Sequence, residues 1–131
     1  MVDLLLLHEF IKSLGLPMEV FLFLFPEESQ YEQDVADIQE AIAFSLKTED
    51  SNPVVSRGNL RFLLRADHPN RCVEAGNELI TKLDQRTDVV IGDTQIILFN
   101  AFDKTPEALG LDNNGNHIFK VDIKVISSPL T

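Results

Sequence analysis

Between His117 and Ile126 the chain alternates without a slip, Phe119, Val121, Ile123 and Val125 falling on one face and Lys120, Asp122 and Lys124 on the other. That period of two belongs to a β-strand covered on one side only, and no helix can satisfy it. Upstream, Thr94 to Ala101 is β-rich but apolar on nearly both faces, Ile96 and Leu98 alternating with Ile97 and Phe99. This suits a strand in the middle of a sheet or one covered by a neighbouring subunit. Asp112-Asn113-Asn114-Gly115-Asn116 can take positive φ at several positions and so can reverse the chain. The two strands are therefore expected to pair antiparallel, with an excursion from Asp103 to Leu111 between them.

A chain of 131 residues is one domain by expectation, and at this size roughly two thirds of the unfolded surface can be buried, so neither disulfide nor metal is needed for folding. Cys72 is the single cysteine, which rules out an intrachain bridge and suits a reducing compartment. With no cationic neighbour but Arg71, it reads as a small core residue and not as a reactive thiol. The leucine run Leu4 to Leu7 follows Asp3 and is interrupted by His8 and Glu9, too soon for a signal-peptide core or a membrane span. The protein is accordingly expected in the cytosol or inside something assembled there. Its net charge of −10, from 21 acidic and 11 basic residues, opposes phosphate binding as the main activity. For a lumen through which DNA slides without sticking, the same charge is an advantage.

Taken in order, Asp3 can cap a helix whose positions Leu4, Leu7, Phe10, Ile11 and Leu14 follow the 3.6 repeat, and Gly15 then ends it, giving a helix over 4–14. Leu5 and Leu6 lie off that stripe, buried either in the chain's own core or against another subunit. Met18 to Phe25 is apolar on both faces after Glu19 and reads as a short buried strand or an interface segment. Glu27 to Glu40 holds six carboxylates and no basic residue, a solvated face in preference to a metal site, since the spacing fits no metal loop. Ala41 to Leu46 alternates large and small residues as a half-buried strand. Lys47 to Gly58 is polar, with Pro53 and Gly58, and reads as a long projecting loop. Leu60 to Ala66 forms the next strand, Leu60, Phe62 and Leu64 inward and Arg61, Leu63 and Arg65 outward. Arg57, Arg61, Arg65 and Arg71 lack interleaved aromatics and so suit pairing with the acidic stretch better than nucleic acid. Asp67 is the expected cap of a second helix over 70–85, with Pro69 in its first turn and a buried stripe of Cys72, Val73, Gly76, Leu79, Ile80 and Leu83. Gly76 in a helix interior costs about 1 kcal/mol against alanine, which points to close packing on the sheet.

No phosphate-cradling glycine loop, zinc spacing or nucleophile elbow occurs, and no histidine is assigned to chemistry. The motifs thus describe an α+β domain, a mostly antiparallel sheet of four to five strands with two helices packed on one face, and neither an enzyme nor a cofactor-binding protein.

The order of elements, with Ala41-Ile42-Ala43, the Leu60 to Asp67 strand running into the second helix, the Ile91-Gly92-Asp93-Thr94 turn and Gly110-Leu111-Asp112-Asn113-Asn114-Gly115 before the last strand, resembles the tail terminator proteins of long-tailed bacteriophages and prophages. In some phages these are labelled minor capsid proteins. The acidic insertion before Ala41 and Asn113-Asn114 depart from the family's pattern. The resemblance implies a subunit of a hexameric ring that caps the head-proximal end of the tail tube, ends tube polymerisation and offers a surface to the head connector. DNA would pass through the ring without specific binding, and assembly would take place in the bacterial host cytoplasm. The expected subunit interface draws on Val20, Phe21, Leu22, Phe23, Arg61, Arg65, Ile97 and Phe99. The expected tube-contact loop comprises Glu49, Asp50, Ser51, Asn52, Pro53 and Val54. Two other readings stay open: a neck adaptor joining head to tail, and a small acidic binding module that acts on a host protein.

Overall fold

The structure, a computed structural model, describes residues 2–22, 40–51 and 54–129, with the backbone alone for residues 50 and 51. In chain order the elements are α1 (Leu4–Lys12), β1 (Glu19–Leu22), β2 (Ala41–Ser51), β3 (Ser56–Ala66), α2 (Pro69–Leu83), β4 (Thr87–Ile91), β5 (Thr94–Ala101), β6 (Glu107–Leu111) and β7 (His117–Pro129). The strands form one sheet in the order β1-β2-β3-β7-β5-β4, with β6 beside β7. β7 is long enough to pair along its whole length with β3, and on its other side with β5 near one end and β6 near the other.

The α+β class stands, but the sheet has seven strands among the described residues and is mixed, because β1 runs parallel to β2. Three strands account for the difference from the expected four to five. β1 is only four residues long. β4, Thr87–Ile91, is five residues long and buries only Val89 and Ile91. β6, Glu107-Ala108-Leu109-Gly110-Leu111, lies within the expected excursion and lacks the β-branched residues that mark a strand.

The polar stretch 47–58 is likewise no long loop. β2 runs on to Ser51 and β3 begins at Ser56, so the connection spans only residues 52–55. Its composition is polar because this end of β2 is solvated, Lys47, Thr48 and Glu49 all being exposed.

Both helices share a core with one face of the sheet: Leu7 and Ile11 of α1 and Cys72, Leu79 and Leu83 of α2 meet Ile42, Phe44, Phe62, Leu64, Val121 and Ile123. α1 is capped by Asp3, whose carboxylate accepts from the N–H groups of Leu5 and Leu6, and its far end is held by Lys82 of α2, which donates to the Leu14 and Gly15 carbonyls. The cap of α2 is His68, not Asp67: its Nδ1 accepts from the Asn70 N–H at 3.1 Å. Gly76 sits where a Cβ would run into the Pro106 ring, so the segment entering β6 packs directly on α2.

A register shift between Ile96 and Leu98 explains the apolar run in β5. The extra residue turns the strand so that Ile96 and Phe99, three apart, both enter the same core, while Ile97 is 41% exposed. The expected reversal at residues 112–116 forms, but the strand it joins to β7 is β6, Asp112 Oδ1 accepting from the N–H groups of Asn114 and Asn116 at 2.9 Å each and Gly115 standing at φ +79°.

Candidate functional site

Away from the helices, the sheet carries a charged array built on the polar positions of β3 and β7. Because Arg61 and Asp122 are register partners, the guanidinium reaches the carboxylate with two hydrogen bonds, 2.9 and 3.1 Å. Asn59 adds a third at 3.3 Å. Lys120 lies two residues from Asp122 on the same face and donates to Asp103 at 2.9 Å and Asp122 at 3.0 Å, with Glu107 of β6 paired to it at 2.9 Å. Asp103 also accepts the Asp122 backbone N–H at 2.8 Å, which pins the segment leaving β5 against β7. Farther along the face Lys124 pairs with Glu49 at 2.6 Å and lies over the exposed Phe102 ring, 5.7 Å from its centroid. Ser45, Lys47, Asn59, Arg61, Phe102 and Lys124 line a groove of about 400 Å³ here.

Burial alone would raise the Asp122 carboxyl; the bonds from Arg61, Lys120 and Asn59 outweigh it and bring the pKa down to about 2. Lys120 is opposed by its own burial and still held above its ordinary value by Asp103, Glu107 and Asp122. Both groups keep their charges at neutral pH, so the array fixes structure and does not exchange protons as general acid–base chemistry requires. Burial raises the Cys72 thiol to about 11, which removes it as a nucleophile. The larger groove, about 620 Å³ between α1 and β1, contains His8, whose Nε2–H is committed to the Val20 carbonyl at 2.8 Å. Among the described residues no three His, Cys, Asp or Glu side chains stand together as metal ligands would. No described helix is long and apolar enough to cross a membrane.

The residues expected at a subunit interface are dispersed. Val20 is buried, and Phe21 and Leu22 are half-buried at the β1 margin; Phe23 lies outside the described residues, as do acidic positions 27–39. Phe99 is enclosed in the core and stacks on Phe10, centroids 6.1 Å apart. Arg61 reaches outward but is tied to Asp122. Arg65, expected outward, lies on the face away from the helices yet is only 2% exposed. Its register partners Ala41 and Ile118 belong to a small apolar cluster on that face with Ala43, Phe21 and Leu63. Burial lowers its pKa, the charge of Asp112 partly offsetting this. The expected pairing of arginines with acidic residues is realised between Arg71 and Glu40, at 2.8 and 3.0 Å.

Of the tube-contact residues, Glu49 is an exposed side chain at the end of β2, Asp50 and Ser51 continue that strand, and Val54 is exposed at the hairpin tip; Asn52 and Pro53 lie outside the described residues. The feature that sequence reasoning missed is β6, every residue of which is exposed. The pairing of Leu109 with Leu111 in a strand-length segment beside a strong turn was its only signal.

Fold and face together define a small α+β domain with a fixed array of surface charge and, among the described residues, no cluster of three metal-ligating side chains. Residues 10–128 match the family model described as bacteriophage tail terminator protein, and the chain belongs to that family. Membership places it among the structural proteins of the phage tail. No curated protein matches the chain.

Proposed function

We propose that this protein assembles as a ring, with six copies as the resemblance implies, on the head-proximal end of the tail tube, where it ends tube polymerisation and provides the surface that joins head to tail. The observation that carries this reading is the family match over nearly the whole described chain, residues 10–128. The structure supplies means suited to it. The β2–β3 hairpin ends in a short tip with exposed Val54, a compact element for contact with the tube. Exposed Leu5, Leu6, Ile97, Leu109 and Leu111 are apolar groups for other subunits to cover. The net charge of −10 suits a channel that DNA must traverse without adhering.

The test is a phage lacking a functional copy of this gene. Its tails are expected to grow beyond normal length, and length control to return with the intact protein but not with a variant lacking residues 52–55. Tails made without heads are expected to carry the protein at one end only. Tails of normal length in its absence would refute termination, and its presence on joined particles alone would favour the neck adaptor.

A further inference from the structure

Ala101 and Phe119 are both core residues, yet nothing from 102 to 116 joins either hydrophobic cluster. Through 102–115 every residue is exposed except Asp103, Pro106 and Asp112, which are half-buried, and Leu109 and Leu111 stand 52% and 64% in solvent. The hydrophobic effect therefore does little to hold this segment, and its closure on the body is mainly polar. β6 pairs with β7 at four positions between Glu107 and Leu111, and the ladder slips between Ala108 and Gly110.

Lys120 grips the segment from the body side. Its ammonium reaches Asp103 and Glu107, both on the segment, at 2.9 Å each, and Asp122, on β7 itself, at 3.0 Å. Asp103 adds a second tie by accepting the Asp122 backbone N–H at 2.8 Å, and the N–H groups of Phe102 and Asp103 donate to the Asp122 carbonyl. Pro106 resting on Gly76 of α2 supplies a small apolar contact. At the far end the Asp112 carboxylate bonds within the segment, to Asn114 and Asn116, and acts on β3 through the charge of Arg65. The body is held differently: Leu60, Phe62 and Leu64 of β3 and Val121 and Ile123 of β7 are all fully buried.

We infer that residues 102–116 form a strap that opens as a unit while the rest of the fold stays intact, with Lys120 and Asp103 as its latch. Opening breaks the β6–β7 ladder and the Lys120 pairs but uncovers little apolar surface, whereas separating β3 from β7 would expose the core. Segments that bury least open first. The open strap stays anchored at Ala101 and His117. It leaves the 117–120 end of β7 without a ladder partner on the β6 side, so a single copy passes between a form whose β7 is paired there and one in which that edge is bare. The inference stands on the single chain and holds whether or not copies assemble.

The test is native-state amide hydrogen exchange on the free full-length chain, comparing the amides of 107–111 that bond to β7 with those of 60–64 in β3. The strap amides are expected to exchange at least about a hundredfold faster after correction for intrinsic rates, and with little dependence on added denaturant, because their opening exposes little surface. Ile42→Val, a core change in β2 away from the strap, should speed the 60–64 amides severalfold and leave 107–111 as they were, since Ile42 stays packed when the strap alone opens. Asp103→Asn, which keeps an oxygen for the Asp122 N–H but loses the charge facing Lys120, should speed 107–111 by about tenfold. Strap amides as slow as those of β3 and with the same denaturant slope, or a strap accelerated by Ile42→Val as much as the core, would show that the segment opens only with the whole fold and would overturn the inference. Unchanged 107–111 exchange in Asp103→Asn would overturn the latch.

Discussion

Asp122 shows how a single residue gathers a face of the sheet. Its carboxylate binds Arg61, Lys120 and Asn59, while its backbone carbonyl accepts from the N–H groups of Phe102 and Asp103 at 3.0 and 3.2 Å. A carboxyl held near 2 in the fold, against about 3.9 when unfolded, contributes stability that is complete above the unfolded value and is lost as pH falls toward 2. The contribution is roughly 2 kcal/mol, so chemical denaturation midpoints measured from pH 6 down to pH 2 (on the order of the carboxylate titration range) should decline, and decline less steeply in Asp122→Asn. At neutral pH that variant should lose about 2 kcal/mol, because Arg61 and Lys120 keep their charges without their shared partner. Gly76 is the second such position. Gly76→Ala would gain about 1 kcal/mol of helix propensity, but its methyl group meets the Pro106 ring. The net outcome should be a loss of about 1–3 kcal/mol from overpacking, read as a lower denaturation midpoint. The sequence makes the glycine's role legible but not its partner, since nothing in the pattern brings residue 106 over residue 76.

At the scale of elements, legibility follows burial. β7 and the helix stripes read correctly because one face is core and the other solvent, which is the condition under which periodicity carries information. β5 reads as two-sided because a bulge changes its parity midway, an event that leaves no compositional mark at Ile97. The outer part of β2 reads as loop because solvent reaches both faces there, Lys47, Thr48 and Glu49 all being exposed, and β6 reads as excursion for the same reason. Elements that assembly would cover thus look least like structure in the single chain. α1 depends on a tie that its own sequence does not reveal, the ammonium of Lys82 on the Leu14 and Gly15 carbonyls. Lys82→Met should cost about 1 kcal/mol and show first as faster amide exchange through α1, with α2 and the β3–β7 pair unaffected. Uniformly faster exchange would mean that the tie supports the whole fold.

For the molecule as a whole, charge sets the conditions of association. Each copy carries a net charge of −10, so in the proposed ring bringing copies together accumulates repulsion over the entire surface, whereas an ion pair between copies would act only at a junction. These terms respond oppositely to salt: screening relieves the distributed repulsion and weakens the exposed pair, which is worth at most about 1 kcal/mol. Raising ionic strength from about 0.1 M to about 1 M shortens the screening length from about 10 Å to about 3 Å. Repulsion between subunit surfaces is spread over longer distances than a paired side chain, and so it loses more. Assembly is therefore expected to strengthen with salt, the half-assembly concentration in sedimentation velocity falling severalfold across that range. A rise instead would show that charge pairs at the junctions outweigh the acidic surface.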